Sequence, residues 1–129
     1  MPSARGFTLI EIMMAVVIIA ILALLAAPAY REMMLRTYRG EAQSGLQVAA
    51  ATIERCYSEQ LTYVGCVVPP NTETGLYRIE IEEDSATDIN YTLIAVRESS
   101  RVLSDERCGD FTLNSVGLKG NLNGDQTCW

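Results

Sequence analysis

The chain has 129 residues, of which 49% are hydrophobic, and it carries 16 acidic against 10 basic residues for a formal net charge of −6. This length suits one small domain in addition to an apolar helix. The acidic balance disfavours a general binder of nucleic acid or anionic membranes, which needs a surplus of Lys and Arg. Histidine is absent, so the commonest general base and metal ligand is missing, and we expect neither an enzyme nor a cofactor.

An apolar run without any charge lies between Glu11 and Arg31. As a helix this run spans about 30 Å, close to the thickness of the hydrocarbon core of a bilayer. We therefore predict a membrane-spanning helix that is entered by one carboxylate, that of Glu11. Such a carboxylate either lies at the level of the lipid headgroups, where the helix N-terminus favours it, or has a partner within the membrane.

The residues before the apolar run separate these alternatives. A basic stub is followed by the sequence Gly-Phe-Thr-Leu-Ile-Glu over residues 6–11. The stub is too short for an ordinary signal peptide, and no small-residue cleavage site follows the apolar run. The pattern resembles the class III leader of type IV pilins and pseudopilins.

The resemblance implies how the chain is processed and assembled. In that family a membrane peptidase cuts after the glycine, here Gly6, and methylates the new N-terminal amine, here that of Phe7. The glutamate, here Glu11, meets the N-terminal amine of a neighbouring subunit. The implied partners are the prepilin peptidase and N-methyltransferase, the inner-membrane assembly platform and other pilins, with the membrane as the environment before assembly. Nucleic acid is not expected among the partners because the chain is acidic.

Beyond the apolar run the helix is predicted to continue as an amphipathic segment to about Tyr57, because apolar residues recur at steps of three and four. The stripe consists of Leu35, Tyr38, Ala42, Leu46, Ala49, Ile53 and Cys56, while Arg36, Arg39, Gln43, Gln47 and Glu54 fall largely off it. Pro28 is expected to kink the helix, since proline removes a backbone hydrogen bond. Gly40 and Gly45 are interpreted as glycines that the helix tolerates, with close approach within an assembly as the alternative.

The chain after the helix predicts a small antiparallel sheet. Alternation of apolar with polar residues over 77–82 and over 90–96 predicts two half-buried strands. A third strand begins at Phe111 and is ended by Gly117 and Gly120, and a short fourth strand is an open alternative. The fold class is α+β, with a long N-terminal helix packed on a three- or four-stranded antiparallel sheet, which is the pilin fold.

Four cysteines, Cys56, Cys66, Cys108 and Cys128, lie beyond the apolar run. An even number in a small domain fits an oxidising exterior and two disulfides. Of the three pairings we expect the local one, Cys56–Cys66 with Cys108–Cys128, because it closes two short loops; buried free thiols are the alternative. A zinc site is disfavoured, since the chain has no Cys-x-x-Cys pair.

The C-terminal segment holds a candidate metal site. Asn121, Asn123 and Asp125 alternate around Gly124 in a way that resembles part of an oxygen-ligand calcium loop. The bidentate glutamate of such loops is missing and two of the three side chains are uncharged, so a plain turn is favoured and no metal is expected. The sequence also contains no Ser/His/Asp, Cys/His or phosphate-loop arrangement, and we predict no catalytic residue.

The predicted organisation is a leader over 1–6, a transmembrane and filament-core helix over 7–30, an amphipathic helix over 31–57 and a periplasmic headgroup over 58–129. Within the headgroup we expect a loop over 58–75, the sheet over 76–116 and a disulfide region over 108–128. Arginines after the apolar run favour the opposite orientation, but the leader and the cysteines favour a headgroup outside the cytoplasm. The expected location is the bacterial inner membrane, in a single pass, and afterwards the extracellular pilus.

A second pattern narrows the resemblance. The sequence Cys-Gly-Asp-Phe-Thr-Leu over residues 108–113, followed by Gly-Leu-Lys over 117–119 and a closing Cys-Trp, is similar to minor pilins of the PilE type in the type IVa system. This similarity implies a minor pilin that helps to start or cap the pilus and supports pilus biogenesis, twitching motility and adhesion. The alternatives are a major pilin or a type II secretion pseudopilin and, outside the family, a signal-anchored envelope binding protein.

Overall fold

The structure, a computed structural model, describes residues 6–98 and 102–129. Most of the predicted leader, residues 1–5, lies outside the described residues. The chain divides into two compact units, Met1–Met34 and Leu35–Trp129. Its elements in chain order are α1 (Leu9–Gln60), β1 (Tyr77–Ile81), β2 (Thr92–Arg97), β3 (Phe111–Asn114), β4 (Lys119–Asn121) and a 3-10 helix over Gln126–Cys128.

The four strands form one antiparallel sheet in the order β1-β2-β3-β4, so each strand pairs with the next strand along the chain. Alternate side chains point into the core, as a period of two predicts. The buried residues of the strands are Tyr77, Ile79, Leu93, Ala95, Phe111 and Leu113. The opposite face of β1 carries Arg78 and Glu80 in exposed positions. The α+β prediction is therefore confirmed, with four strands.

The second half of α1 packs one face against this sheet. The apolar residues of that face in the core are Ala42, Leu46, Ala49 and Ile53, and Leu35 earlier on the helix is also buried. Tyr38 and Cys56, at the edges of the predicted stripe, are half-buried and pack against the same core. Burying one Leu or Ile side chain contributes about 1.5–3 kcal/mol, so the stripe and the sheet stabilise each other.

The helix ends at Gln60 and not at the predicted Tyr57. Leu61 follows with a φ of 56°, the left-handed conformation that often ends a helix, and its N–H donates to the Tyr57 carbonyl at 2.7 Å. The Gln60 amide nitrogen lies 2.9 and 3.1 Å from the sulfurs of Cys56 and Cys66. These contacts stabilise a last helical turn that includes residues 58–60, which the sequence predicts to belong to the loop.

The sheet continues past residue 116, the predicted end. Gly117 forms a turn with a φ of 78°, and β4 then pairs with β3, so that Gly120 lies opposite Thr112. A Cβ at Gly120 would lie 2.6 Å from Thr112 Oγ1. The glycine therefore allows a close approach inside the sheet and does not end it, and the alternative of a fourth strand is the correct one.

The loop between α1 and β1 is fastened to both elements. The Ile79 N–H donates to the Pro70 carbonyl and the Thr72 N–H to the Tyr77 carbonyl, each at 2.9 Å. The loop thereby covers part of the free edge of β1, which would otherwise present unpaired backbone groups. On its other side the Thr72 hydroxyl donates to the Glu41 carboxylate of α1.

Gly45 has a packing role that its sequence context does not reveal. A Cβ at this position would lie 2.6 Å from Thr72 Cγ2 and 3.3 Å from Ile79 Cδ1. The interpretation of Gly45 as a merely tolerated glycine is therefore wrong, because the missing side chain lets the loop and the sheet approach the helix. At Gly40, by contrast, a Cβ would meet nothing within 4 Å.

Candidate assembly site

The predicted cleavage site lies in exposed, non-helical chain. Gly6 and Phe7 precede α1, and the Phe7 side chain is 85% exposed. The peptide bond between these residues is therefore open to an approaching enzyme. Cleavage and methylation at this bond stay predictions.

Glu11 forms a closed set of hydrogen bonds with Thr8 at the start of α1. The Thr8 N–H and hydroxyl both donate to Glu11 Oε2 at 2.9 Å, and the Glu11 N–H lies 3.3 Å from Thr8 Oγ1. This is a capping box, in which Thr and a Glu three residues later satisfy groups that have no partner inside the helix. Thr8 is not among the predicted site residues, although the Thr-x-x-Glu spacing before an apolar run signals this cap.

The first half of α1 exposes apolar side chains in every direction. All large hydrophobic residues between Leu9 and Leu25 are at least 52% exposed. The helix contains a window of mean hydropathy 3.0 that is long and apolar enough to cross a membrane. Such a helix needs lipid or other apolar helices around it. Pro28 lies inside α1, and the kink expected there stays a prediction.

The four cysteines form the disulfides Cys56–Cys66 and Cys108–Cys128, with Cα–Cα distances of 6.0 and 5.7 Å. The first bond fastens the loop after α1 to the end of the helix. The second fastens the C-terminal 3-10 helix to the segment before β3, and both of its cysteines are buried. Closing a loop of this size contributes about 3 kcal/mol by restricting the unfolded chain.

One carboxylate of α1 accepts hydrogen bonds from two tyrosines. The Tyr91 hydroxyl donates to Glu54 at 3.0 Å and the Tyr63 hydroxyl at 3.2 Å. The Tyr63 ring stacks on Tyr57 and meets Tyr91 edge-on, with centroids 4.5 and 4.8 Å apart. Burial, and next the hydrogen bond to Glu54, raises the pKa of both Tyr63 and Tyr91. Glu54 lies outside the buried stripe, yet it connects the helix, the loop and the sheet.

A buried ion pair joins α1 to the segment before β3. Arg39 donates to both oxygens of Asp105, at 2.6 Å from Nε and 3.0 Å from Nη2, and both residues are buried. Burial alone raises the pKa of Asp105, but the hydrogen bonds from Arg39 and the Cys108 N–H outweigh it and hold this pKa below its usual value. The prediction that Arg39 lies off the packed face is wrong, because its partner is remote in sequence.

The residues of the candidate calcium loop form the C-terminal turns. Asn121 Oδ1 accepts from the Asp125 N–H at 3.1 Å, and the Asn123 amide donates to the Glu106 carbonyl at 2.6 Å. Asp125 caps the 3-10 helix by accepting from the Thr127 hydroxyl and N–H, and these bonds lower its pKa. Asn121 and Asp125 are thus engaged in local hydrogen bonds, and Asn123 fastens this segment to the one before β3.

An apolar helix that begins after a Gly-Phe junction with a capped glutamate, joined to a disulfide-bonded headgroup, defines a pilin subunit. Residues 1–27 match the prokaryotic N-terminal methylation motif. Residues 28–112 match the family described as type IV minor pilin ComP, DNA uptake sequence receptor. Since this second match covers more than half of the chain, the chain belongs to that family of type IV minor pilins.

Individual proteins of known type agree with this assignment. The chain is 29% identical to a fimbrial protein of Moraxella nonliquefaciens over an alignment of 140 residues, which covers 92% of this chain and 90% of that protein. It is 34% identical to a fimbrial protein of Pseudomonas aeruginosa over 88 residues, or 68% of this chain and 55% of that protein. The crystal structure of the non-core minor pilin PilV of Neisseria meningitidis has the same fold, with a TM-score of 0.60 and 22% identity over 74% of this chain and 94% of the chain in that structure.

These findings confirm the predictions of a type IV minor pilin and of the pilin fold. The methylation motif implies processing by a prepilin peptidase, and the family implies assembly with other pilins. The apolar N-terminal helix indicates membrane anchoring before a location in the pilus. The family is one of structural subunits.

Proposed function

We propose that this minor pilin is made as a membrane-anchored prepilin, trimmed between Gly6 and Phe7 and methylated on the Phe7 amine. Residues 7–30 then serve as the membrane anchor and later as the filament-core helix, with the headgroup on the periplasmic side. The inner-membrane assembly platform draws the subunit into the pilus or to its tip. There it acts as a structural subunit, without enzymatic activity, that supports pilus biogenesis, twitching motility and adhesion.

The exposure of the apolar residues in the first half of α1 supports this proposal most strongly. The second half of α1 buries its apolar stripe within the unit Leu35–Trp129, whereas the large side chains from Leu9 to Leu25 stay exposed. Lipid surrounds these side chains before assembly, and the helices of other subunits replace the lipid afterwards. Association in this setting depends on close van der Waals packing and on the pairing of the few polar groups.

Glu11 sets the register of the incoming helix in this proposal. Its carboxylate is bonded to Thr8 of its own chain, and the Phe7 amine of a neighbouring subunit offers the opposite charge. Unpaired charges are disfavoured in an apolar environment. A subunit that enters out of register would leave the Glu11 carboxylate and the neighbouring Phe7 amine unpaired, so the pairing favours the correct register. The Thr8 cap keeps the carboxylate satisfied until that exchange takes place.

Three variants separate charge pairing from helix capping. Glu11→Gln removes the charge but supplies an amide that can still serve in a capping box. Glu11→Ala removes both the charge and the capping group, and Thr8→Ala removes only the partner in the cap. We expect both Glu11 variants to be processed normally but to enter sheared fibres roughly tenfold less, as quantified by immunoblotting. Thr8→Ala should enter normally. Normal assembly of Glu11→Gln together with a defect in Thr8→Ala would assign the role to the cap.

Processing, copy number and orientation have separate tests. Mass spectrometry of the native protein should find an N-methylated Phe7 as the first residue; a chain that retains Met1 and an unmodified internal Phe7 contradicts the proposal.

Quantitative proteomics of purified fibres should find fewer copies of this chain than of the main subunit. Protease added to spheroplasts should digest the headgroup, and protection of the headgroup would place it in the cytoplasm.

The family description names a receptor for DNA uptake sequences, and we propose that DNA binding does not extend to this chain. Its formal charge of −6 opposes association with a polyanion. A cation beside an aromatic ring could still contact a nucleic-acid strand, and Lys119 is such a group, with its ammonium 5.2 Å from the centroid of the Trp129 ring. Gel-shift assays of the full chain with duplex and single-stranded DNA should show no complex. A complex that Lys119→Ala abolishes would overturn this part of the proposal.

A further inference from the structure

Three loops meet at the end of the headgroup that lies beyond the C-terminus of α1. The loop after α1 contacts the β1–β2 turn, where the Thr62 hydroxyl donates to Asp88 Oδ1 at 2.8 Å. The β1–β2 turn contacts the β3–β4 turn, where the Ser115 hydroxyl donates to Asn90 Oδ1 at 3.3 Å. Because each loop is bonded to the next, the three loops form one end surface.

Each of these loops exposes a large aliphatic side chain. Leu61 and Val64 in the first loop are 73% and 54% exposed, Ile89 in the second is 71% exposed and Val116 in the third is 80% exposed. We name these four residues the distal patch. Single exposed aliphatic residues are ordinary, but a group of them on adjoining loops is typical of a surface that binds another protein.

The backbone at this end is held in conformations that glycine adopts most readily. Among the residues that the structure describes, the non-glycine residues with positive φ are Leu61 at 56° and Asp84 at 59°. Both lie in the loops of the end surface. A leucine in the left-handed region is strained, and its exposed side chain gains little from folding. The stability of the isolated subunit therefore does not explain a leucine at this position.

The three loop segments that carry the distal patch contain acidic residues and no basic ones. Residues 56–66, 82–92 and 114–118 contain no Lys or Arg, and their carboxylates are Glu59, Glu82, Glu83, Asp84 and Asp88. Basic residues flank these segments, since Arg55 precedes the first one and the exposed Lys119 follows the third. An acidic rim repels the same end of a second copy, anionic lipid and nucleic acid, and it attracts a surface that carries Lys or Arg.

We propose that the distal patch docks a different pilin subunit, one whose contact surface is apolar at its centre and carries Lys or Arg at its rim. The inference rests on the proposed function, because only an assembling subunit meets such a neighbour. An apolar centre within a polar rim is the usual anatomy of a specific interface, and complementary charge fixes its orientation. Since this chain carries 16 acidic against 10 basic residues, a second copy is a poor electrostatic match for the acidic rim, and the patch favours contact with another kind of subunit.

Photo-cross-linking in cells that assemble pili tests the proposal. A photoreactive phenylalanine analogue replaces Ile89 in the full chain, and a control chain carries it at Leu122, which is 75% exposed and lies outside the patch. We expect the Ile89 position to yield an adduct with a different pilin, on a peptide that contains Lys or Arg. Adducts formed only with copies of the same chain or with lipid, or the absence of a pilin adduct, overturn the proposal.

Substitutions at the end surface separate docking from processing. Ile89→Ser with Val116→Ser removes half of the apolar centre, Glu82→Lys with Glu83→Lys reverses part of the rim, and Leu122→Ser is the matched control. We expect copies per fibre to fall roughly tenfold in both double variants, with processing and the midpoint of headgroup unfolding unchanged, and not to fall in the control. Wild-type incorporation of both double variants overturns the docking proposal alone. A wild-type chain that never enters fibres overturns the proposed function.

Discussion

The two halves of α1 belong to one helix, yet their side chains have opposite surroundings. From Leu9 to Leu25 the large apolar residues are exposed, whereas from Ala42 to Ile53 the apolar stripe is buried against the sheet of the same chain. Both halves use the same backbone hydrogen bonding. Helical structure alone therefore does not fix the environment of a helix. The chain supplies the partner of the second half, whereas the first half needs lipid or other apolar helices around it.

Each half also holds an ionised side chain in its own way. Glu11 is exposed and bonded to Thr8, a near neighbour in sequence. Arg39 is buried and bonded to Asp105, which is 66 residues away. An exposed local contact is exchanged at little cost, whereas breaking a buried pair is strongly destabilising. The first arrangement suits a group that changes partners on assembly, and the second suits a group that fixes the fold.

The largest effect is expected at the buried pair of the second half. Asp105→Ala removes the carboxylate that faces Arg39, and we expect the free energy of unfolding of the headgroup to fall by about 3–5 kcal/mol. The measurement is urea unfolding of the full chain in detergent, followed by the fluorescence of Trp129. The control, Glu80→Ala, removes an exposed partner of Arg78 at 3.5 Å and should cost less than about 1 kcal/mol. Equal losses of unfolding free energy in the two variants would mean that burial does not increase the contribution of the Arg39–Asp105 pair.

The same pair predicts a loss of stability in acid. The pKa of Asp105 in the folded headgroup lies below its value of about 3.9 in an unfolded chain. Its contribution is therefore fully present above about pH 5 and is lost as the pH falls through the lowered pKa. Urea unfolding at decreasing pH should show a steeper loss in the wild type than in Asp105→Asn. Parallel losses in the two proteins would rule out Asp105 as the source.

A matched pair of leucine variants tests the comparison of the two halves directly. Leu46 is fully buried, and Leu22 is 60% exposed on the same helix. Leu46→Ala should lower the free energy of unfolding of the headgroup by about 2–5 kcal/mol. Leu22→Ala removes the same atoms but should change that free energy by less than about 0.5 kcal/mol, while lowering incorporation into fibres. Similar unfolding losses in both variants would show that the first half also supports the headgroup.

The first half of the helix is predictable from sequence because its signals are local. The Gly6–Phe7 junction, Glu11 and the uncharged run stand side by side, and each has a meaning that does not depend on remote contacts. The period of the amphipathic stripe and the alternation of the strands are local as well, so the helix and the sheet are predictable on the same basis. Thr8 is the exception. Its spacing to Glu11 is a local signal for a helix cap, but the resemblance assigns Glu11 to a contact between subunits, and the cap within the chain is not predicted.

The details of the headgroup resist prediction because they arise from long-range contacts. Arg39 meets its carboxylate only when the segment before β3 folds against the helix, and no local pattern marks that event. Gly45 and Gly120 read as weak points of a helix and a strand, yet they allow the close approach of Thr72 and Thr112. Such a residue acquires its role from a neighbour that the sequence does not identify.

A buried tyrosine in the core beside the second half of α1 makes stability depend on pH in the alkaline range. Burial, and next the negative charge of Asp105, raises the pKa of Tyr77 to about 12. Since this lies above the unfolded value of about 10, the contribution is fully present below about pH 10 and is lost as the pH rises through about 12, up to about 3 kcal/mol. Tyr77→Phe keeps the ring edge-on to Phe111 and removes the titration. Urea unfolding across this range should depend less steeply on pH in the variant, and parallel curves would contradict the assignment.

The smallest effects, of opposite sign, are expected at two glycines of the second half. Gly45→Ala places a Cβ 2.6 Å from Thr72 Cγ2, and we expect a loss of about 1–3 kcal/mol in thermal unfolding experiments. Gly40→Ala meets nothing within 4 Å and should gain up to about 1 kcal/mol from helix propensity. Adding Thr72→Ser to Gly45→Ala removes the methyl group that the Cβ meets and keeps the hydroxyl that bonds to Glu41. Recovery in this double variant would show that contacts within the chain set the spacing of helix and loop, while no recovery would trace the loss to another cause.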